Sequence, residues 1–382
     1  MSKPRQKFLH VFFQSLLVLR GKATFANLSR FSGWSEKSFR RNYQKAWDFV
    51  KMNLNIIDTI EMDETIAAID ASAFKKAGSK TFGVGWFWSG SANQAIRGLE
   101  ISCIALISLK YRTAFSLSVR QTDGKVKGNS RICEYIRQLK ECKDVLRRRV
   151  KYILADGFYS KYNFVEAVVS IGLHQIGRLR DDANMYYLFQ GNHTKRKGRK
   201  CLYSGKFTGL DRRRWEYIST IEYDKRVLDV YTAILYHKSL KRIIRVVMLH
   251  NPDTGKHTLL FSTDTNLDAE KILDYYSARF QIEFLFRDAK QHLGLEECQS
   301  RSKKALDFHF NAVMASLNQI KADLYYEGKL SIDIPISIAD YKTRETNRFL
   351  IHRIIEMLGI SPDIVLNHPA YKQLINFGRI AA

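Results

Sequence analysis

Within "DYYSARFQIEFLFRDAKQHLGL" (Asp274 to Leu295), Tyr276, Arg279, Glu283 and Lys290 are spaced so that chemistry is possible. At about 100° per residue, a helix would gather them into an arc of about 60°. Ile282, Leu285, Phe286, Ala289 and Leu293 fall beside that strip, so the strip is expected to border the core rather than bulk water. A cation and a carboxylate four residues apart are also common on solvated helices. Taken alone, Glu283 therefore reads as the salt-bridge partner of Arg279. Two aspartates change the reading. Asp70 interrupts the apolar run "TIAAIDASAF", and Asp156 closes another, "KYILADG". A carboxylate inside an apolar strand is costly unless it is paired, hydrogen-bonded or metal-bound. Either one alone is more often a capped strand end. Together the three acids suit hard divalent cations, which take oxygen ligands and are often bound by a few carboxylates plus substrate phosphates. Two such ions about 4 Å apart can activate an attacking oxygen and stabilise a leaving one in phosphoryl transfer.

Composition points to a matching substrate. The chain has 382 residues, with 62 Lys and Arg against 38 Asp and Glu, a formal charge of +24. Such an excess on a folded, aromatic-rich chain predicts a polyanionic partner, nucleic acid before membrane. The plainer alternative is a basic protein kept soluble by its charge. The five cysteines are scattered and form no CxxC pair, which argues against zinc and fits a reducing cytosol. The N-terminus, "MSKPRQKFLHVFFQSLLVLRGKATFA", has the outline of a signal peptide. His10 and Gln14 break its apolar run, however, and Leu9, Phe12, Phe13, Leu16 and Leu17 recur at helical spacing. An amphipathic helix of a folded domain is the better reading, and the run is too short to cross a bilayer.

The elements that would position the acids can be read in outline, and the length predicts two or three domains. Residues 1–57 read as a helical domain. A short helix carrying Phe25, Leu28 and Phe31 ends at Gly33, and Ser35 caps a second that buries Phe39, Tyr43, Trp47 and Val50. Arg40 and Arg41 would face outward. Helix, glycine turn, basic helix is the helix-turn-helix pattern, and 11 Lys and Arg against 2 Asp and Glu in this segment favour DNA over a merely solvated bundle face. Residues 58–177 then give three strand candidates, a helix ("NSRICEYIRQLKECKDVLRRR"), a strand, a helix and a strand, an α/β layer with a mixed sheet. Residues 178–262 are β-rich and basic and read as an inserted β subdomain, with an exposed basic loop at 192–200. Residues 263–325 return to helices of the core, and 326–382 form a C-terminal helical region.

At this point the chain resembles a family. Tyr276-x2-Arg279-x3-Glu283-x6-Lys290 matches the YREK motif of bacterial insertion-sequence transposases of the DDE class, and "STD" at Ser262–Asp264 looks similar too. The resemblance covers roughly residues 65–305. It implies an RNase H-like catalytic core with the β insertion ahead of the glutamate helix. It implies that Asp70, Asp156 and Glu283 bind two Mg2+ ions, with Mn2+ as a substitute, and that Tyr276, Arg279 and Lys290 contact DNA phosphates. The implied function is cutting at the element's terminal inverted repeats and joining the 3′-hydroxyl to target DNA by cut-and-paste. Homo-oligomers on paired ends, no membrane and a nucleoid-associated location in the bacterial cytoplasm follow from the same resemblance. In relatives, cleavage can pass through a DNA hairpin, with a tryptophan of the β insertion stacked on a flipped base. Trp215 is the only tryptophan of this insertion; stacking in a basic setting is physically reasonable, and a half-buried strand tryptophan is the equal alternative. A nuclease with the same acids and a non-catalytic DNA-binding remnant remain the competing functions.

Other candidates default to structural roles. His250 and His292 read as surface or satisfied core histidines, and Asp264 as a strand end. "GVGWFW" (Gly83–Trp88) lacks the Lys-Ser/Thr of a phosphate loop; its aromatics are read as packing, with a DNA-facing wall as the alternative.

Overall fold

A computed structural model describes residues 2–90, 92–125, 130–191, 200–223 and 225–380. Apart from Lys200, the basic loop at 192–200 lies outside the described residues.

Four helices open the chain: α1 (Lys3–Val18), α2 (Phe25–Ser32), α3 (Glu36–Tyr43) and α4 (Phe49–Ile57). Thr24 and Ser35 cap α2 and α3 by accepting the backbone N–H groups of Asn27 and Ser38, each at 3.2 Å. Gly33 closes α2 at φ +70, a left-handed conformation that glycine adopts without strain. The predicted helix from Ser35 through Val50 is interrupted. It stops at Tyr43, and Asp48 starts α4 by accepting the Lys51 N–H at 3.0 Å, so a local cap competes with continuation. In α1, Phe8, Leu9, Phe12 and Leu16 are buried in the molecule's main core. No helix among the described residues is long and apolar enough to cross a membrane.

The sheet is built next from β1 (Thr65–Lys75), β2 (Gly85–Ser89), β3 (Gln94–Ser108) and β4 (Thr113–Gln121). Helices α5 (Ser130–Glu141) and α6 (Lys143–Arg149) follow, splitting the predicted single helix at Cys142. Then come β5 (Tyr152–Ala155), α7 (Tyr162–Ser170) and β6 (His174–Leu179). β1 runs antiparallel to β3 and parallel to β5, and β5 runs parallel to β6. The resulting order, β4-β3-β1-β5-β6, is that of an RNase H-like mixed sheet. The β-rich segment comprises β7 (Met185–Leu188), β8 (Tyr203–Lys206), β9 (Glu216–Tyr223), β10 (Arg226–His237), β11 (Arg242–His250) and β12 (His257–Ser262). β12 hydrogen-bonds to β6, so this segment prolongs the same sheet, which has 12 strands among the described residues. The segment builds a further hydrophobic cluster around Met185, Trp215, Leu235 and Met248, which also takes in Val165 of α7.

The chain ends in α8 (Ala269–Ala278), α9 (Phe280–Leu293), α10 (Lys303–Tyr326), α11 (Ile338–Leu358), α12 (Pro362–Leu366) and α13 (Tyr371–Asn376). Almost every side chain of α10 is buried. Asn311 and Asn318, seven residues apart and so on one face, zip α10 to the outer strand β4. The Asn318 side chain accepts the Ser116 N–H at 2.9 Å and donates to the Ser116 carbonyl at 2.8 Å. Asn311 does the same for Val119, both at 3.1 Å. These bonds satisfy backbone groups that an edge strand would otherwise leave open to another chain. Asn318 also donates to Asn53 of α4, which itself donates to the Leu117 carbonyl. The N-terminal helices are thus fastened to the same edge.

Candidate active site

Register places the first two acids. Ala67 and Ala68 of β1 pair in parallel with Ile153 and Leu154 of β5. Two residues further along each strand come Asp70 and Asp156, level with one another on neighbouring strands, which lie about 4.8 Å apart in a sheet. Asp156 stands just past the end of β5, where its carboxylate accepts the Phe158 N–H at 2.9 Å. Asp70 sits in the middle of β1 and accepts the Ala71 N–H at 2.8 Å. Side chains alternate along β1, so Asp70 shares a face with Ala68 and Phe74. Ile282, Leu285, Phe286 and Ala289 of α9 pack in the same cluster as those two residues. The apolar stripe of α9 therefore docks the helix on that face, which brings the Glu283 charge within reach of Asp70.

Arg279 joins the group. It lies at the junction of α8 and α9 with helical dihedrals, so the strip passes through the junction without losing its phase. Its guanidinium is 2.8 Å from Glu283 and 4.0 Å from Asp70. The residue is 8% exposed, and its Nε is buried without a hydrogen-bond partner among the described residues. Burial, then the neighbouring Asp156 charge, pushes Asp70 up to about 7, against the pull of the Ala71 N–H and Arg279. The cluster is short of positive charge even with Arg279 in place. Tyr276 is half-buried beside the Arg279 guanidinium, 5.6 Å from its ring, and burial raises its phenol. Lys290, two turns along, pairs with Glu296 at 3.1 Å and lies 5.9 Å from the Phe74 ring.

Among the described residues, no group of three or more His, Cys, Asp or Glu is arranged as a ready metal cage. Arg279 accounts for this at Glu283, because the guanidinium holds that carboxylate. The donor set still fits a hard divalent cation. It is oxygen-only, and the Asp156 charge that helps push the Asp70 carboxyl up is what a cation between them would offset.

The remaining candidates lie elsewhere. Arg40 and Arg41 are exposed on α3; Arg40 pairs with Glu36 at 3.2 Å and covers the Phe25 ring. Trp215 is 4% exposed, and its indole N–H donates to the Tyr187 hydroxyl at 3.0 Å. In this structure its faces belong to the insertion's core, so it offers no open surface to a base. Asp264 is also structural, bound by the Tyr152 hydroxyl and the Lys151 ammonium, each at 2.8 Å. The reading by sequence missed β2 altogether. The signal was the alternation Trp86-Phe87-Trp88, which now shows two exposed indoles on either side of a buried ring.

Comparison with known proteins decides the family. A model described as "Transposase DDE domain" matches residues 61–319, more than half of the 382 residues. The chain belongs to the DDE transposase family. The matched span of this DDE transposase contains Asp70, Asp156 and the whole Tyr276–Lys290 strip. Among solved structures, the chain is similar to a piggyBac transposase in a synaptic complex with hairpin DNA, at 10% identity and a TM-score of 0.42, covering 94% of this chain and 74% of that one. No curated protein matches it.

Proposed function

We propose that this chain is an insertion-sequence transposase of the bacterial YREK subgroup that cuts DNA at the element's ends and joins the freed 3′-hydroxyl to target DNA. The observation that carries this reading is that the parallel pairing of β1 with β5 sets Asp70 and Asp156 level, while Arg279 reaches from Glu283 to Asp70. Asp70, Asp156 and Glu283 would hold two Mg2+ ions, which supply charge for the attacking and leaving oxygens. In cutting, a water oxygen bonds to the scissile phosphorus, the P–O3′ bond breaks, and a 3′-hydroxyl is left on the element's end. In joining, that hydroxyl bonds to a target phosphorus and displaces a target 3′-oxygen, so the number of phosphodiester bonds is conserved.

The chain's own groups position the DNA. Arg279 keeps an unpartnered buried N–H inside the acid cluster, a donor suited to a phosphate oxygen. Tyr276 and Lys290 extend the same strip on either side of Glu283. The helical segment 1–57, with Arg40 and Arg41 exposed, would recognise the terminal repeats. The core of 58–177 and 263–325 carries the chemistry, 178–262 is the β insertion and 326–382 a helical tail. Work on two ends at once favours a homo-oligomer, acting cut-and-paste at the nucleoid. The test is an assay with Mg2+ on DNA carrying the sequences that flank the gene. Wild type should nick and join it, while Asp156→Ala and Glu283→Ala still bind the ends but leave the DNA uncut. Cutting without joining would favour a nuclease instead, and normal turnover by either variant would remove the site assignment.

A further inference from the structure

We propose that Trp86 and Trp88 form a stacking platform for unpaired bases of the DNA strand that runs across the acid cluster; the inference rests on the DNA-processing role proposed above. β2 alternates sharply. Phe87 is buried beneath the Arg131 guanidinium, 5.1 Å from its ring, whereas Trp86 and Trp88 are 68% and 60% exposed. Large aromatics left in water side by side mark an interaction surface more often than chance scatter. Residues two apart on a strand share a face at about 7 Å. That spacing is about two stacked-base steps, so one base fits between two indoles.

Register puts this face on the side of the acids. Trp86 pairs with Arg97 and Trp88 with Ala95 on β3, while Asp70 pairs with Cys103 on the same strand. Leu99, Ile101 and Cys103 point into the core under α9, and Arg97 continues that alternation. The tryptophans therefore look out on the same side of the sheet as Asp70. Arg97 and Cys103 are six positions apart, about 20 Å of strand, or about six base steps of DNA. Lys290, over Phe74, lies between the two points.

Charge selects the occupant. Residues 71–99 contain Lys75, Lys76, Lys80 and Arg97 and no Asp or Glu. Lys76 is engaged with the Cys298 carbonyl, and Lys75, Lys80 and Arg97 are exposed. A second copy of this +24 chain would be repelled here, and a phosphate backbone attracted. Indole faces bind bases through their π surfaces, which a duplex keeps covered by neighbouring pairs, so the platform favours unpaired bases.

The experiment titrates metal-free wild type, Trp86→Ala/Trp88→Ala and Trp86→Phe/Trp88→Phe against a fluorescein-labelled oligo-dT of about 15 nucleotides and a duplex of the same length. The alanine pair should bind oligo-dT at least about tenfold more weakly, with the phenylalanine pair retaining most of the affinity and the duplex little changed. Wild-type oligo-dT affinity in the alanine pair, or equal losses on oligo-dT and duplex, would overturn the platform. Because binding is read without metal or cleavage, a failed DNA-processing role shows separately, as wild type that does not cut in Mg2+.

Discussion

Asp70→Asn is expected to lower Mg2+-dependent cleavage by about 10³-fold or more, the scale of losing a preorganised electrostatic group, while making the metal-free protein more stable at neutral pH. The two effects share one cause. Asp70 is held among Asp156, Glu283 and buried apolar surface, and its carboxyl is pushed up to about 7, against about 3.9 in an unfolded chain. Between those values the folded state binds the proton that the unfolded state has released. Stability therefore falls as pH rises through this window, and the penalty is complete above pH 7. Asparagine keeps the shape and removes the charge. Melting curves without divalent ions should show the variant ahead of wild type by a few degrees at pH 7.5, with the gap closing towards pH 4. A variant that melts below wild type at pH 7.5 would show that Asp70 is not in a charge-strained cluster.

The largest stability effect is expected at Phe308. Its ring is the meeting point of the N-terminal helices and α10, with centroids 5.8 Å from Phe8, 5.6 Å from Phe12, 4.4 Å from Tyr43, 5.4 Å from Trp47 and 5.6 Å from Phe49. Truncating a fully buried phenylalanine costs about 3–5 kcal/mol, and here the cavity would open beneath α1, α3 and the start of α4. Phe308→Ala should lose that amount in denaturant unfolding and should also weaken binding to end DNA, because α3 carries Arg40 and Arg41. A loss below about 1 kcal/mol, smaller than the range for such truncations, would mean that the N-terminal helices do not depend on this contact.

Much of the architecture was legible because it is written in period. Asp70 and Asp156 were visible as charges inside short apolar runs, and the α9 stripe was visible at helical spacing. The strand order that sets the acids level with each other was not visible, because pairing between β1 and β5 spans more than eighty residues of sequence and leaves no local mark. The role of Arg279 was only half legible. Its four-residue spacing to Glu283 predicted the ion pair, but its 4.0 Å approach to Asp70 depends on how α9 docks. The helix from Ser35 was read too long because apolar periodicity continues past Tyr43, whereas the Asp48 cap resets the backbone. Trp215 and the Trp86–Trp88 pair exchange expectations for one reason. Neither on β2 nor in the bend before β9, where Trp215 sits, does an aromatic residue carry a sequence signal for which face is covered, and burial decided that Trp215 lies inside and the other two outside.

If Asp70 and Asp156 hold a divalent cation during phosphoryl transfer, exchanging the ligand type at either position changes which metal supports cleavage. Thiolates favour softer metals than carboxylates do. Asp70→Cys and Asp156→Cys should therefore be inactive on end DNA in Mg2+ and should regain cleavage when Mn2+ or Cd2+ replaces it. Full activity of either variant in Mg2+, or no recovery of either in the softer ions despite intact folding and DNA binding, would contradict the account.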